Sequence, residues 1–214
     1  MQKECVWEFT QCTRHTVVNA MAEKQVTSGG LFGFFELIGK LKHLKRTGWV
    51  RRDIVEPESV ASHMYRMSLM SFLFVDTVDP ALNRERCIRM SLVHDLAESL
   101  VGDITPFDGV SKEEKCRMEN EGMLKIKTLV PDQVGEEMYQ LWQEYEDGKS
   151  PEAIVVKDLD KFDMIFQAYE YEKAEGKPKG LQEFFDSTEG KFQHPEVRKW
   201  VEQLIATRND SNSV

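Results

Sequence analysis

Residues 83–103 read NRERCIRMSLVHDLAESLVGD, and their pattern is helical. Asn83 can cap the start, because its side-chain oxygen accepts a free N–H of the first turn. Gly102 can close the end, because glycine enters the left-handed C-terminal conformation without a Cβ penalty. The spacing predicts one helix from about Asn83 to Val101. Leu92, Val93, Leu96, Ala97, Leu100 and Val101 leave few positions for a water-facing stripe. Three ionisable residues nevertheless sit among them. Glu98 follows His94 by four residues and Asp95 by three, so all three can face one space. A solvated acidic turn would fit poorly in such apolar company. Buried ionised carboxylates are costly unless paired or coordinating a metal, which points to a metal site.

The same period runs outward through most of the chain. Leu31, Phe34, Phe35, Ile38, Leu41 and Leu44 mark an amphipathic helix. A polar loop is expected from Arg46 to Pro57, and Pro57 suits the start of a second helix. One face of that helix carries Val60, Met64, Met67, Ser71 and Phe74. A charged helix is expected from Lys112 to about Val130, another from Pro131 through Tyr145, and a long one from Pro151 to about Ala174. A short segment around Leu181–Phe185 and a helix from Pro195 to about Arg208 follow. No stretch alternates like a strand between hairpin turns. The expectation is all-α, with one domain over residues 31–208. A partly ordered N-terminal extension over 1–30, closed by Ser28-Gly29-Gly30, precedes it, with Met21 as an alternative start. A polar, flexible tail over 209–214 follows it.

The 214 residues are ample for one buried core. Asp and Glu number 37 against 28 Lys and Arg, a net charge of −9. Such a surface repels phosphate backbones and argues against a nucleic-acid polymer as partner. It leaves room for one small phosphorylated ligand in a local basic or metal-lined pocket. No apolar run approaches the ~18 residues of a membrane span, so no membrane partner is expected. The N-terminus lacks the apolar stretch of a secretory signal. Glu4, Glu8 and Glu23 against the single Arg14 speak against a mitochondrial transit peptide. Cys5, Cys12, Cys87 and Cys116 are scattered without a Cys-x-x-Cys pair, so no disulfide framework is expected. Cys87 reads as a small buried apolar residue. The expected location is a reducing compartment, the cytoplasm.

The chain has five histidines. His63 lies on the apolar face of its helix, between Val60 and Met67. A lone histidine there is more often a satisfied core residue than a ligand. A further acid comes from VVKDLDKFD, residues 155–163. Asp160 has Val156 one turn before it and Met164 one turn after, which predicts the more buried face. Asp158, flanked by Ile154 and Phe162, can reach a helix edge. Spacing alone does not choose between them. Two imidazoles and two carboxylates suit a borderline or hard divalent ion with positions left open for water and substrate. Such an ion acidifies water and neutralises phosphate oxygens. Glu98 would then orient or deprotonate the attacking water.

These segments resemble the HD-domain metal-dependent phosphohydrolases. The pattern H…HD…D stands here as His63, His94-Asp95 and Asp160. ESVASH, residues 58–63, is similar to the family's first-histidine helix. HDLAE, residues 94–98, followed by Gly102-Asp103-Ile104, is similar to the 5′-deoxynucleotidase subgroup. VKDLDK, residues 156–161, matches the last ligand segment and selects Asp160. The dipeptide HD alone is weak, whereas three segments in order over roughly Leu31–Leu204 are specific. The resemblance implies an all-helical HD bundle and a divalent cation (manganese, cobalt or magnesium) held by His63, His94, Asp95 and Asp160. It implies that Glu98 and Asp103 belong to the catalytic centre, where they and the Ile104 carbonyl could hold a second cation. The implied reaction is hydrolysis of a deoxyribonucleoside 5′-monophosphate to nucleoside and phosphate, in a homodimer.

Bacterial members place an Arg-Trp pair against the substrate where this chain has KRTGWVRR, residues 45–52. The Trp is displaced here. Trp49, Arg46, Arg51 and Arg52 are the substrate candidates, with ordinary surface charge the equal alternative for each arginine. An arginine binds phosphate bidentately, and an indole can lie against a sugar or base. A guanosine tetraphosphate hydrolase would usually show His-Asp-x-x-Glu-Asp, but Ser99 takes the last position here. Cyclic-nucleotide and cyclic-dinucleotide enzymes need additional histidines. A non-catalytic scaffold binding nucleotide or a protein partner is opposed by the intact ligand set with Glu98 and Asp103.

Overall fold

The computed structural model describes residues 28–74 and 79–210. In chain order its helices are α1 (Ser28–Leu41), α2 (Thr47–Val50), α3 (Val60–Ser71), α4 (Arg84–Ser91), α5 (Glu98–Val101), α6 (Lys112–Lys127), α7 (Asp132–Asp147), α8 (Pro151–Glu175), α9 (Gln182–Thr188) and α10 (Pro195–Asp210). Among the described residues no strand forms, and Lys45 and Ser59 make one isolated antiparallel bridge. The all-α expectation holds. The extension expected over 1–30 lies outside the described residues as far as residue 27. At its far edge the boundary differs, because Ser28, Gly29 and Gly30 already belong to α1. Residues 211–214 of the expected tail, with Cys5 and Cys12, also lie outside. No helix among the described residues is long and apolar enough to cross a membrane.

The longest helix organises the rest. Ser150 accepts the Ala153 N–H, Pro151 opens α8, and Gly176 closes it in the left-handed region at φ 61°. Helix α8 packs against α3, α4, α7, α9 and α10. Val156, Leu159, Ile165 and Ala168 of α8 are buried with Val60 and Met67 of α3 and Cys87 and Met90 of α4. Each such large aliphatic side chain contributes about 1.5–3 kcal/mol. Where these neighbours bury it, α8 can carry polar groups only where another element answers them.

Three sequence expectations need correction. The helix expected from Asn83 to Val101 breaks: α4 stops at Ser91, α5 starts at Glu98, and turns join them. The physical cause is local. The N–H groups of Leu96, Glu98, Ser99 and Leu100 each bond the carbonyl three residues back, and His94 Nδ1 donates to the Ser91 carbonyl at 3.0 Å. The polar loop expected over Arg46–Pro57 contains α2 and buries Trp49 and Ile54. The second helix starts at Val60 rather than near Pro57, because Ser59 is its cap and accepts the Ser62 N–H.

The burial order of the two aspartates is also reversed. Asp158 is fully buried, whereas the Asp160 side chain is 30% exposed. Asp158 Oδ2 accepts the backbone N–H groups of Gln193 and His194, both at 2.7 Å, and so anchors the approach to α10. We predict that Asp158→Ala lowers stability in urea unfolding by about 3 kcal/mol, the scale of two hydrogen bonds to a charged acceptor. Its divalent-metal content should match the parent protein.

Candidate active site

Helix α3 delivers the first histidine. Val60, Met64 and Met67 face the core, and His63 on the same face is fully buried. Its Nδ1 lies 2.6 Å from Asp163 Oδ2 on α8. Arg66 Nε donates to the other Asp163 oxygen, while its remaining N–H groups reach Glu170 and Gln167, both at 2.7 Å. Burial would push the Asp163 carboxyl up, but His63 and Arg66 hold it below its ordinary range. A charged carboxylate there can only accept, so Nδ1 donates to it and Nε2 faces the other way. That atom lies 3.2 Å from Asp160 Oδ1 and 3.7 Å from Asp95 Oδ2.

The turn between α4 and α5 delivers the second. His94 Nδ1 is occupied by the Ser91 carbonyl, and Nε2 lies 3.2 Å from Asp95 Oδ2. The two rings meet edge-on at 5.4 Å. Both Nε2 atoms are buried without a hydrogen-bond partner. Ligand atoms of His63, His94 and Asp160 all lie within 4.8 Å of one another. Unsatisfied buried polar atoms are costly, and a divalent cation satisfies this donor set of imidazole nitrogen and carboxylate oxygen. Burial and the Arg46 charge favour a neutral His63 ring, but Asp160 and Asp163 outweigh them and raise it to about 9. A cation between the rings competes with that proton.

Other groups complete the surroundings. The Tyr145 hydroxyl donates to Asp160 Oδ2 at 2.8 Å. Arg46 is placed by backbone bonds that join its N–H to the Glu58 carbonyl and the Val60 N–H to the Leu44 carbonyl. Its guanidinium lies 3.6 Å from Asp95. Burial opposes that charge, but Asp160, Asp95 and Asp103 outweigh it and hold Arg46 protonated. Glu98 is buried with Oε2 unpartnered. Burial, reinforced by Asp95 and Asp103, holds its carboxyl well above the ordinary range. Gly102, at φ 82°, turns the chain after α5 as a side chain would not readily allow. Asp103 Oδ2 then accepts the Thr47 N–H at 2.6 Å, and the Ile104 carbonyl accepts from Lys115 at 3.0 Å.

Two cavities meet here. The polar one, about 320 Å³, is lined by His94, Asp95, Glu98, Tyr145 and Asp160. The other, about 620 Å³, is lined by Trp49, Arg51, Arg52, Phe107 and Phe184. Arg46 and Asp103 line both. The structure thus gathers His63, His94, Asp95, Asp160, Glu98, Asp103 and Arg46 around one space. Trp49, Arg51 and Arg52 belong to the second cavity. Asp163 and Tyr145 were not anticipated. Asp163 stands three residues after Asp160 and shares its helix face, a signal present in the spacing. For Tyr145 no sequence signal exists.

The HD domain family model matches residues 38–198. Among curated proteins, the chain is 57% identical over 175 residues to the 5′-deoxynucleotidase HDDC2 of Danio rerio, covering 82% of this chain and 86% of the relative. It is 51% identical over 185 residues to 5′-deoxynucleotidase HDDC2 of Mus musculus, covering 86% and 92%. Among solved structures, the PH0347 protein of Pyrococcus horikoshii matches with a TM-score of 0.65 at 32% identity, covering 83% of this chain and 97% of that one.

The buried His63–Asp163 contact makes a specific prediction. Asp163→Asn keeps the shape and removes the charge. Affinity for Mn²⁺ or Co²⁺ should fall about 10–100-fold, the usual scale for losing a carboxylate behind a ligating histidine. Calorimetric metal titration reads the loss, and histidine ¹⁵N shifts read the tautomer. Unchanged affinity would mean that His63 is oriented without Asp163.

Proposed function

The chain belongs to the HD domain family, and on that premise we propose that it is a metal-dependent 5′-deoxynucleotidase. The single observation that carries the site is the pair of buried, unpartnered Nε2 atoms beside Asp95 and Asp160. His63, His94, Asp95 and Asp160 would hold a divalent cation: manganese, cobalt or magnesium. Bound there, it supplies positive charge against phosphate oxygens and acidifies water.

The chain's own groups do the rest. Arg46 is held charged at the cavity wall, where its guanidinium can bind the phosphate through two N–H groups. Glu98 projects from α5 into the same cavity, and its Oε2 orients the attacking water and takes a proton from it. The water oxygen bonds to phosphorus as the bond from phosphorus to the 5′ oxygen breaks, and that oxygen takes up a proton as it leaves, which releases phosphate and deoxynucleoside. Asp103 backs this wall through Thr47. A second cation on Glu98, Asp103 and the Ile104 carbonyl would compete with the Lys115 ammonium now on that carbonyl. Trp49, Arg51 and Arg52 contribute through the adjoining cavity. We also propose that the enzyme acts as a cytoplasmic homodimer without nucleic-acid-polymer or membrane partners. Phe32 and Phe35 on α1 and Tyr65 and Leu69 on α3 offer exposed apolar side chains to a second copy.

Phosphate release from deoxynucleoside 5′-monophosphates, after chelation and re-addition of each metal, tests the reading. Chelation should abolish turnover and one of the three ions should restore it. Asp95→Ala should lose both metal and turnover, and a full metal complement by elemental analysis would contradict the assignment. Glu98→Gln should keep the metal and lower kcat by a factor on the order of 10²–10⁴, the scale of a general base. Near-normal turnover in that variant would move the base to another carboxylate, with Asp103 next in reach.

A further inference from the structure

We propose that the larger cavity is the nucleoside chamber of this enzyme, with Phe107 and Phe184 supplying the aromatic surfaces against which the base stacks. The inference rests on the nucleotidase reading and gives it a location. Arg46 and Asp103 line both cavities. A phosphomonoester with its phosphate beside Arg46 therefore has the larger space next to it for the ester-linked group. At about 620 Å³ that space falls among small-molecule sites, roughly 300–1,000 Å³.

The walls select a planar, uncharged group. Phe184 rests on Trp49, with ring centroids 4.5 Å apart. Trp49 is locked in turn by an Nε1 hydrogen bond to Glu58 and by the edge of Tyr171. Phe107 is 70% exposed. Its turn is fastened by Asp108, which accepts both the Thr105 N–H and hydroxyl at 2.7 Å. The Arg51 guanidinium lies 5.0 Å from the Phe107 ring centroid and 3.1 Å from Asp108, so it braces the ring and the turn together. A solvent-exposed phenylalanine fixed from behind is pre-ordered for contact, which lowers the entropy lost on binding. The chamber is not built for a second phosphate. Arg51 is paired with Asp108 and Arg52 with Glu183, so both arginines on its rim are already answered. The polar cavity holds the opposite character, with Lys112, Lys115 and Lys157 among its lining.

The test compares two substrates that share phosphate and sugar. One is a deoxynucleoside 5′-monophosphate, and the other is 2-deoxyribose 5-phosphate, which lacks the base. Phe107 projects from a surface turn, so Phe107→Ala can be made without emptying the core. The ratio of kcat/KM for the nucleotide over the baseless ester should fall about tenfold in Phe107→Ala, the scale of losing one base–aromatic stack. Phe107→Trp should keep the ratio. Phe184→Leu, if folded by circular dichroism, should lower it similarly. An unchanged ratio in Phe107→Ala would overturn the proposal and place the base in the lysine-lined cavity instead. Calorimetry with deoxyadenosine reads the chamber without turnover. Weaker binding to Phe107→Ala supports the proposal, and equal or undetectable binding to both proteins overturns it. Phe107-dependent deoxyadenosine binding without phosphate release from any nucleotide would sink the nucleotidase reading and leave the chamber standing.

Discussion

A hydrogen bond from His63 to Asp163, residues 100 apart in sequence and both fully buried, ties the site to the fold. Neither group could occupy that interior alone. An isolated carboxylate among the α3 and α8 side chains would be costly, and an imidazole with both nitrogens unanswered would cost less but still count. Together they satisfy each other, and Arg66 supplies the second donor. The hydrogen bond also sets the relation of the two helices. Sliding α3 by one residue along α8 would separate His63 from Asp163 and Arg66 from Glu170 and Gln167 at once. The packing that buries Val60 and Met67 is therefore the same packing that aims Nε2 of His63 at Asp160.

This arrangement concentrates negative charge. Asp95, Asp160, Glu98 and Asp103 converge on one space, and Arg46 is the guanidinium set among them. A protein of net charge −9 would repel an anionic substrate over most of its surface. The cluster changes that sign only where a cation is held, and the lysines around the polar cavity extend the local reversal. The carboxylates also respond unequally. His94 and His63 pull Asp95 down against the effect of burial, whereas burial, Asp95 and Asp103 push Glu98 up against the pull of Arg46 and Lys115. Pairs of carboxyls separated in this way supply one group that holds a cation and another that handles a proton.

Much of this was legible in the sequence. Helical period identified α1, α3, α6, α7, α8 and α10, because each buries one stripe and exposes another. The same period placed His63 inward and grouped His94, Asp95 and Glu98 correctly, although the chain reaches that grouping through tight turns rather than one helix. Period alone could not show that His94 spends its Nδ1 on the Ser91 carbonyl. Nor could it rank Asp158 against Asp160. Asp158 is buried because Gln193 and His194, thirty-five and thirty-six residues later, bring two N–H groups to it. Partners that far along the chain leave no trace in a window of one or two turns. Family resemblance selected Asp160 where hydrophobic flanks pointed to a face that the structure does not bury most. The segment from Arg46 to Pro57 is a different case: rich in Arg, Thr and Gly, it read as a polar loop, yet the Trp49 indole is enclosed by Glu58, Tyr171 and Phe184.

The two cavities divide a chemical problem that one pocket would handle poorly. A phosphate group needs charge and fixed donors, and those gain strength as water is excluded. A base and sugar need apolar contact area, and apolar walls weaken nothing by being uncharged. Placed together, the carboxylates needed to hold a cation would face an aromatic ring with no partner for their charge. The partition between them is thin, and each of its members has a second attachment. Arg46 is fixed by backbone bonds on one side and by Asp95 on the other. Asp103 is fixed by Thr47, whose N–H and hydroxyl bond its carboxylate and its carbonyl respectively. Thr47 opens α2, and α2 carries Trp49, on which Phe184 rests. The wall of the polar cavity and the floor of the apolar one are thus a single short helix and the two residues that clamp it. A disturbance at Thr47 would reach both chambers, whereas one at Phe107, beyond the rim, would reach only the second.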